Sequence, residues 1–207
     1  MRTTLQILIF LLAGVSSLKA QEQLTNGDFE TGDLTGWTVS AVGGVDAGPD
    51  SCVENWRVEP SSTGICGIYV PEINPTSGTS AAFSSFDSNV ANTEWILEQT
   101  VMLPATIINP IISFDFALNI DFALVANVTG PRELNVAFYT TGGTLIGDIF
   151  NDATFMNMDT LLVAYSQSID VASLLTGLEG TNIVLRFTAI IPEISTGPGK
   201  SMVDNVS

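Results

Sequence analysis

The chain has 207 residues, with 22 acidic side chains against 6 basic ones, no histidine and a formal charge of −16 at neutral pH. Such a surface repels phosphate backbones and anionic lipid headgroups, which removes nucleic acid and membrane surfaces from the expected partners. The lack of histidine takes away the commonest general acid–base residue, and no nucleophile elbow, P-loop or dinucleotide glycine motif stands in its place, so a catalyst is not expected.

Met1 to Ala20 reads as a secretory leader. Arg2 is its positive start, Leu5 to Val15 its apolar stretch, and Ser16, Ser17 and Ala20 its small-residue exit. A membrane-spanning helix needs roughly 20 apolar residues, more than this stretch supplies. Removal of the leader leaves Arg57, Arg132, Arg186 and Lys200 as the basic side chains. The expected product is a secreted, extracellular or cell-surface protein, with residues 21–207 forming one domain.

Along that domain the pattern is strand after strand. Leu24–Phe29 and Trp37–Ala41 come first, and the Gly/Pro-rich run from Val42 to Asp50 reads as a long loop. Cys52 and Cys66 are the only cysteines, and an even pair in an exported chain predicts a disulfide. Two buried free thiols are the alternative; zinc is disfavoured, because two thiolates make only half a tetrahedral site. Trp56 falls inside the bracket of these cysteines, beside Asn55 and Arg57. On a pinned loop its indole would be preorganised for stacking. It would equally serve as the plug that seats the loop on the core. Trp37 and Trp95 are expected in the core.

Ile65–Val70, Ser80–Phe86, Trp95–Val101, Thr144–Phe150 and Leu161–Ile169 are further strand candidates. Three segments alternate with period 2: Phe114, Phe116 and Leu118; Leu134, Val136 and Phe138; and Ile183, Leu185, Phe187, Ala189 and Ile191. Thr141-Gly142-Gly143 supplies a hairpin turn. Asp170 is placed to cap one helical turn over Val171–Leu175, with Gly177 ending it. Many short strands separated by turn signals define an all-β chain, a two-sheet antiparallel β-sandwich or jelly roll.

Four patterns add a family resemblance. They are the opening Asn26-Gly27-Asp28-Phe29-Glu30-Thr31-Gly32-Asp33-Leu34-Thr35-Gly36-Trp37; Ser77-Gly78-Thr79-Ser80-Ala81-Ala82-Phe83; Leu97 to Pro104 followed by Ile112-Ser113-Phe114-Asp115; and Ile169-Asp170-Val171 through Val184-Leu185-Arg186-Phe187 to Val203-Asp204-Asn205-Val206. In this order the chain resembles the galactose-binding-like jelly rolls of extracellular bacterial proteins, a group that includes many carbohydrate-binding modules. In such domains the last strand runs on past the Asp204-Asn205-Val206 positions, so a C-terminal truncation and a downstream domain of the same gene product are also expected.

The resemblance implies a structural calcium ion that ties the opening and closing strands. Glu30 and Asp204 match its carboxylate ligands, and Asp28 and Thr79 the positions that offer backbone oxygens; solvated strand-end acids are the alternative. It also implies a non-catalytic module that binds a polysaccharide or cell-surface glycan, with a structural or adhesive spacer as the other reading. If Leu134, Val136 and Phe138 face the core, Asn135 and Tyr139 face outwards, and Arg186 does so on its own strand. The expected stacking residues are Trp56 and Tyr139, and the expected hydroxyl readers Asn135 and Arg186. Nothing in the sequence requires the two strands to share a sheet.

Overall fold

The computed structural model describes residues 23–43, 53–65, 72–86, 93–120, 132–154, 161–191 and 199–207. The leader, Cys52 and Cys66 lie outside the described residues, as does the Ile65–Val70 candidate strand beyond Ile65.

Ten strands are described: β1 Thr38–Val42, β2 Glu54–Glu59, β3 Ala81–Phe86, β4 Thr93–Met102, β5 Ile111–Ile120, β6 Arg132–Thr140, β7 Leu145–Thr154, β8 Leu161–Asp170, β9 Asn182–Ile191 and β10 Gly199–Asp204. They form two five-stranded sheets, β1-β4-β9-β6-β7 and β2-β3-β10-β5-β8. Every pairing is antiparallel. The all-β sandwich expected from the alternation is the fold observed.

The period-2 patterns point where they should. Leu134, Val136 and Phe138 of β6 and Ile183, Leu185, Phe187, Ala189 and Ile191 of β9 are buried against Phe114, Phe116 and Leu118 of β5. Aromatic edges stitch the layers, with Phe114 at 5.3 Å from Phe187 and 5.6 Å from Phe150, ring centre to ring centre. Such pairs add about 0.5–1.5 kcal/mol each beyond area burial. Trp37 and Trp95 join the same core. The β6–β7 turn closes at Thr140, whose N–H donates to the Thr144 carbonyl at 2.8 Å. Asp170 Oδ1 accepts the Ala172 N–H at 2.8 Å and so starts the one-turn helix α1, Ala172–Leu175.

Two expectations need correction. Leu24–Phe29 is not a strand: Asn26 and Phe29 take φ of 53° and 55°, which no extended strand allows. The Asn26 amide fixes that turn by donating to the Asp33 carbonyl and accepting from the Thr31 N–H. The second correction is β2, which occupies a stretch read as loop. Trp56 is its single buried residue, so the strand carries no alternation to detect.

The outer face of the second sheet is covered in its β3–β10 part, while Ala164, Ser166 and Ser168 of β8 are exposed on it. Ile65 and Ile73 pack on Phe83, Met202, Ala81 and Ala117, forming a second small core there. The described parts of the connection between β2 and β3, the 3-10 turn Ser62–Gly64 with Ile65 and the stretch at Ile73, thus lie over this face.

Candidate functional site

The outer face of the first sheet carries the polar residues singled out above. Strands β6 and β9 are neighbours, with Ala137 opposite Arg186 and Tyr139 opposite Val184. Asn135, Tyr139 and Arg186 therefore share one face, half-buried. The Arg186 guanidinium lies over the Tyr139 ring, 4.1 Å from its centroid. Its Nε also donates to Glu98 Oε2 at 2.7 Å. Two partners fix the guanidinium plane, one by charge-assisted hydrogen bonding and one by cation–π attraction.

The row extends across the sheet. Glu98 of β4 stands opposite Thr38 of β1 on one side and Arg186 on the other. Ala137 stands between Arg186 and Asp148 of β7. Asn135 donates to Asp148 Oδ1 at 3.1 Å, and Asn151 donates to Glu133 Oε2 at 3.0 Å. The face thus presents donors, acceptors and one aromatic ring in fixed positions. Glu98 and Asp148 were not singled out by the sequence: an exposed strand acid in an acid-rich chain carries no distinguishing signal.

Trp56 belongs elsewhere, which corrects its expected role as a stacking residue. It is 2% exposed, and its Nε1 donates to the Trp95 carbonyl at 3.0 Å across the gap between the sheets. The ring is the plug, not a surface platform. Among the four expected glycan contacts the structure brings together Asn135, Tyr139 and Arg186 and leaves out Trp56.

Two of the expected cation ligands, Glu30 and Asp204, bond to one short loop that contains a third, Thr79. Glu30 Oε1 accepts the N–H groups of Thr79 and Ser80 at 2.7 and 2.8 Å, and Oε2 accepts the Thr79 hydroxyl at 2.9 Å. Asp204 Oδ2 accepts from Thr76 N–H and hydroxyl at 2.9 Å each and from the Ser77 N–H at 3.3 Å. Residues 76–80 therefore hang from Asp204 at one end and Glu30 at the other. Asp28 Oδ1 accepts the Glu30 N–H at 3.4 Å. Thr79 serves here as a donor.

A second acid joins them. Asp115 is the direct cross-strand partner of Asp204. The Thr76 hydroxyl lies 2.6 Å from Asp115 Oδ2 and 2.9 Å from Asp204 Oδ2, and it has one hydrogen for the two. Asn205 Nδ2 donates to Asp115 Oδ2 at 2.7 Å. Bonds from Thr79 and Ser80 hold the Glu30 carboxyl below the usual range. Burial pushes Asp204 up, partly offset by the donors of Thr76, Ser77 and Asn205. At Asp115 burial acts upwards too, but bonds from Ser166, Thr76 and Asn205 outweigh it and lower the carboxyl. The donor set is all oxygen, as a hard cation requires. Most carboxylate lone pairs already receive hydrogens, so a cation would share or replace them. Among the described residues no group of three or more His, Cys, Asp or Glu side chains is arranged to hold a metal on its own.

No family profile and no curated protein matches the chain. Its structural neighbours include a carbohydrate-binding module specific for non-crystalline cellulose, with 15% identity, TM-score 0.46, and coverage of 90% of this chain and 94% of that one. They also include the K3 cleaved adhesin domain of the Lys-gingipain of Porphyromonas gingivalis W83, with 13% identity, TM-score 0.45, and coverage of 87% and 94%. A third is the enzymatically active domain of tailspike protein 4 of bacteriophage CBA120, with 13% identity and TM-score 0.46; the chain covers 20% of its length. At these identities and TM-scores neither ligand nor activity transfers. The fold is an all-β, two-sheet antiparallel sandwich, and among the described residues one sheet face is partly covered and the other is polar. Among the described residues no helix is long and apolar enough to cross a membrane.

Proposed function

We propose that the chain is a secreted, non-catalytic carbohydrate-binding module whose ligand, a neutral or weakly charged extracellular or cell-surface polysaccharide, lies across the outer face of β1-β4-β9-β6-β7. The observation that carries this reading is the Glu98–Arg186–Tyr139 assembly on that open face. Side chains locked by one another lose little freedom on binding, and preorganisation is what a weak ligand needs. Each sugar hydroxyl exchanges water for protein at a net gain of only about 0.5–1.5 kcal/mol. The acidic chain disfavours polyanionic glycans unless calcium bridges them.

One observation favours the spacer alternative. Among the described residues of that face Tyr139 is the aromatic one, and Arg186 covers one side of its ring. Affinity electrophoresis and pull-down against soluble and insoluble polysaccharides, with calcium present, decides between the two. Retention of the wild-type protein is expected, with Arg186→Ala and Tyr139→Ala each weakening it about tenfold, or ~1.4 kcal/mol. If no glycan retards the wild-type protein, the spacer reading replaces this one.

We further propose calcium as a structural cofactor, held by Glu30 and Asp204 and neutralising the facing Asp204 and Asp115 charges. The support is the convergence of oxygen donors on residues 76–80. A ligand that binds only the folded state adds about 2.7 kcal/mol at a hundredfold excess over its Kd. That is a rise of roughly 5–10 °C in melting temperature for a domain of this size. EDTA is expected to lower the midpoint, and Asp204→Asn to remove the difference. Identical melting curves with EDTA and calcium, together with no calcium in the protein by elemental analysis, would sink the idea.

A further inference from the structure

We propose that Lys200 and Asn119 form an intramolecular isopeptide bond, the lysine Nζ becoming the amide nitrogen on the asparagine Cγ with loss of ammonia. The two residues are direct cross-strand partners, Lys200 on β10 and Asn119 on β5. Side chains opposite one another in an antiparallel pair start from Cβ atoms only about 4.5–5.5 Å apart. Ser85 of β3 stands on the other side of Lys200, so the three make one row across the sheet. All three are buried: Ser85 is 2%, Lys200 1% and Asn119 0% exposed. A buried lysine is rare, and here it lies on the outer face of a sheet, against Ser62 of the β2–β3 connection.

The surroundings suit the chemistry. The neighbouring row on this face is Phe83, Met202 and Ala117, roofed by Ile65 and Ile73. Burial in this apolar setting pushes the Lys200 ammonium below the ordinary lysine range, with the Glu72 carboxylate pulling partly back. A desolvated lysine is a neutral amine for more of the time, and only the neutral amine is a nucleophile. Ser62 Oγ accepts from Nζ at 3.4 Å and from the Ile73 N–H at 2.8 Å. Ser62 thereby positions the amine, and the exposed Glu72, the chain neighbour of Ile73, lies near enough for its charge to act on it.

The step balances without an outside reagent. The Nζ lone pair attacks Cγ of the Asn119 amide, and the carbonyl electrons move onto oxygen. Glu72 takes a proton from Nζ and delivers it to the departing amide nitrogen. The Cγ–N bond of Asn119 breaks as the new Cγ–Nζ bond is kept, and ammonia leaves. Nothing is oxidised or reduced. Holding the two groups in register makes the exchange effectively unimolecular, worth effective molarities on the order of 10⁵–10⁸ M when the alignment is good. The product is a covalent rung between β5 and β10, at the middle of the second sheet.

Intact-mass measurement of the purified, reduced and denatured full chain tests this. The expected mass is one ammonia below that of the sequence with the same N-terminus. A digest should yield a branched peptide joining β5 to β10, with no tryptic cleavage after Lys200. Lys200→Arg and Asn119→Ala should each restore the full mass. A folded wild-type protein at full mass overturns the proposal. So does an ammonia deficit that persists in Lys200→Arg, which would place the loss elsewhere, for instance in a succinimide at Asn26-Gly27.

Discussion

Gly27→Ala is expected to lower the stability of the domain by at least about 3 kcal/mol, at the upper end of what overpacking costs. Gly27 belongs to the opening motif, and its carbonyl accepts the Val206 N–H at 2.9 Å. The two ends of the described chain are joined by that bond. An added Cβ would stand 1.9 Å from the Val206 carbonyl oxygen and 2.9 Å from its carbon. Both atoms are backbone, so no side-chain rotation relieves the clash. Either the opening turn or the closing segment must move away. The opening turn is held by Asn26, by the bond from Trp37 Nε1 to the Asn26 carbonyl, and by Gln99, which accepts the Thr25 N–H and donates to its carbonyl. The closing segment is held on its other side by Ser113, which exchanges backbone bonds with Ser207 at 2.8 and 2.9 Å. Moving one costs contacts on both sides. Urea unfolding should show the midpoint falling by roughly 1.5 M with little change in slope. Gly142→Ala is the control, because its nearest neighbour would be Thr140 Oγ1 at 3.7 Å, and it should fall within about 0.5 kcal/mol of wild type. Equal stability of both variants would mean that the two ends do not pair as described.

What the sequence disclosed follows from how each element is stabilised. Strands β5, β6 and β9 bury one face and announce it by alternation, so Phe116, Val136 and Phe187 were legible as core. Strand β2 lies at a sheet edge and buries only Trp56, so Glu54, Arg57 and Glu59 hid it. The opposite error arose at Leu24–Phe29, where alternating residues concealed two left-handed backbone positions at Asn26 and Phe29. The candidate site depended on pairing as well as on pattern. Alternation told which way Tyr139 and Arg186 point, but only the β6–β9 pairing brings them within 4.1 Å. Asp115 and Thr76 were invisible for the same reason. Their connection to Asp204 spans 89 positions of chain for the acid pair, the direct cross-strand partners (204 minus 115), and 128 positions for the threonine contact. No local spacing encodes either.

Trp56→Ala should cost about 3–5 kcal/mol, the range for deleting a buried large aromatic, and so is expected to remove much of the stability of a domain whose total lies near 5–15 kcal/mol. The indole joins β2 of one sheet to β4 of the other through its bond to the Trp95 carbonyl. Removing it opens a cavity in the inter-sheet core and strips the edge strand β2 of its one buried anchor. Thermal unfolding reads that loss. Trp56→Phe separates anchoring from recognition. It keeps an aromatic ring in the core but leaves no N–H for the Trp95 carbonyl, a loss of about 1–3 kcal/mol, so the domain should still fold. If the sheet face of Glu98, Arg186 and Tyr139 holds the glycan, Trp56→Phe binds as wild type does while Arg186→Ala does not. A folded Trp56→Phe that no longer binds glycan, beside an Arg186→Ala that binds normally, would move the site away from the first sheet and onto the indole. The core position of Trp56, 2% exposed, argues for the first outcome, because a ring that already contributes its faces to packing has none left to offer a sugar.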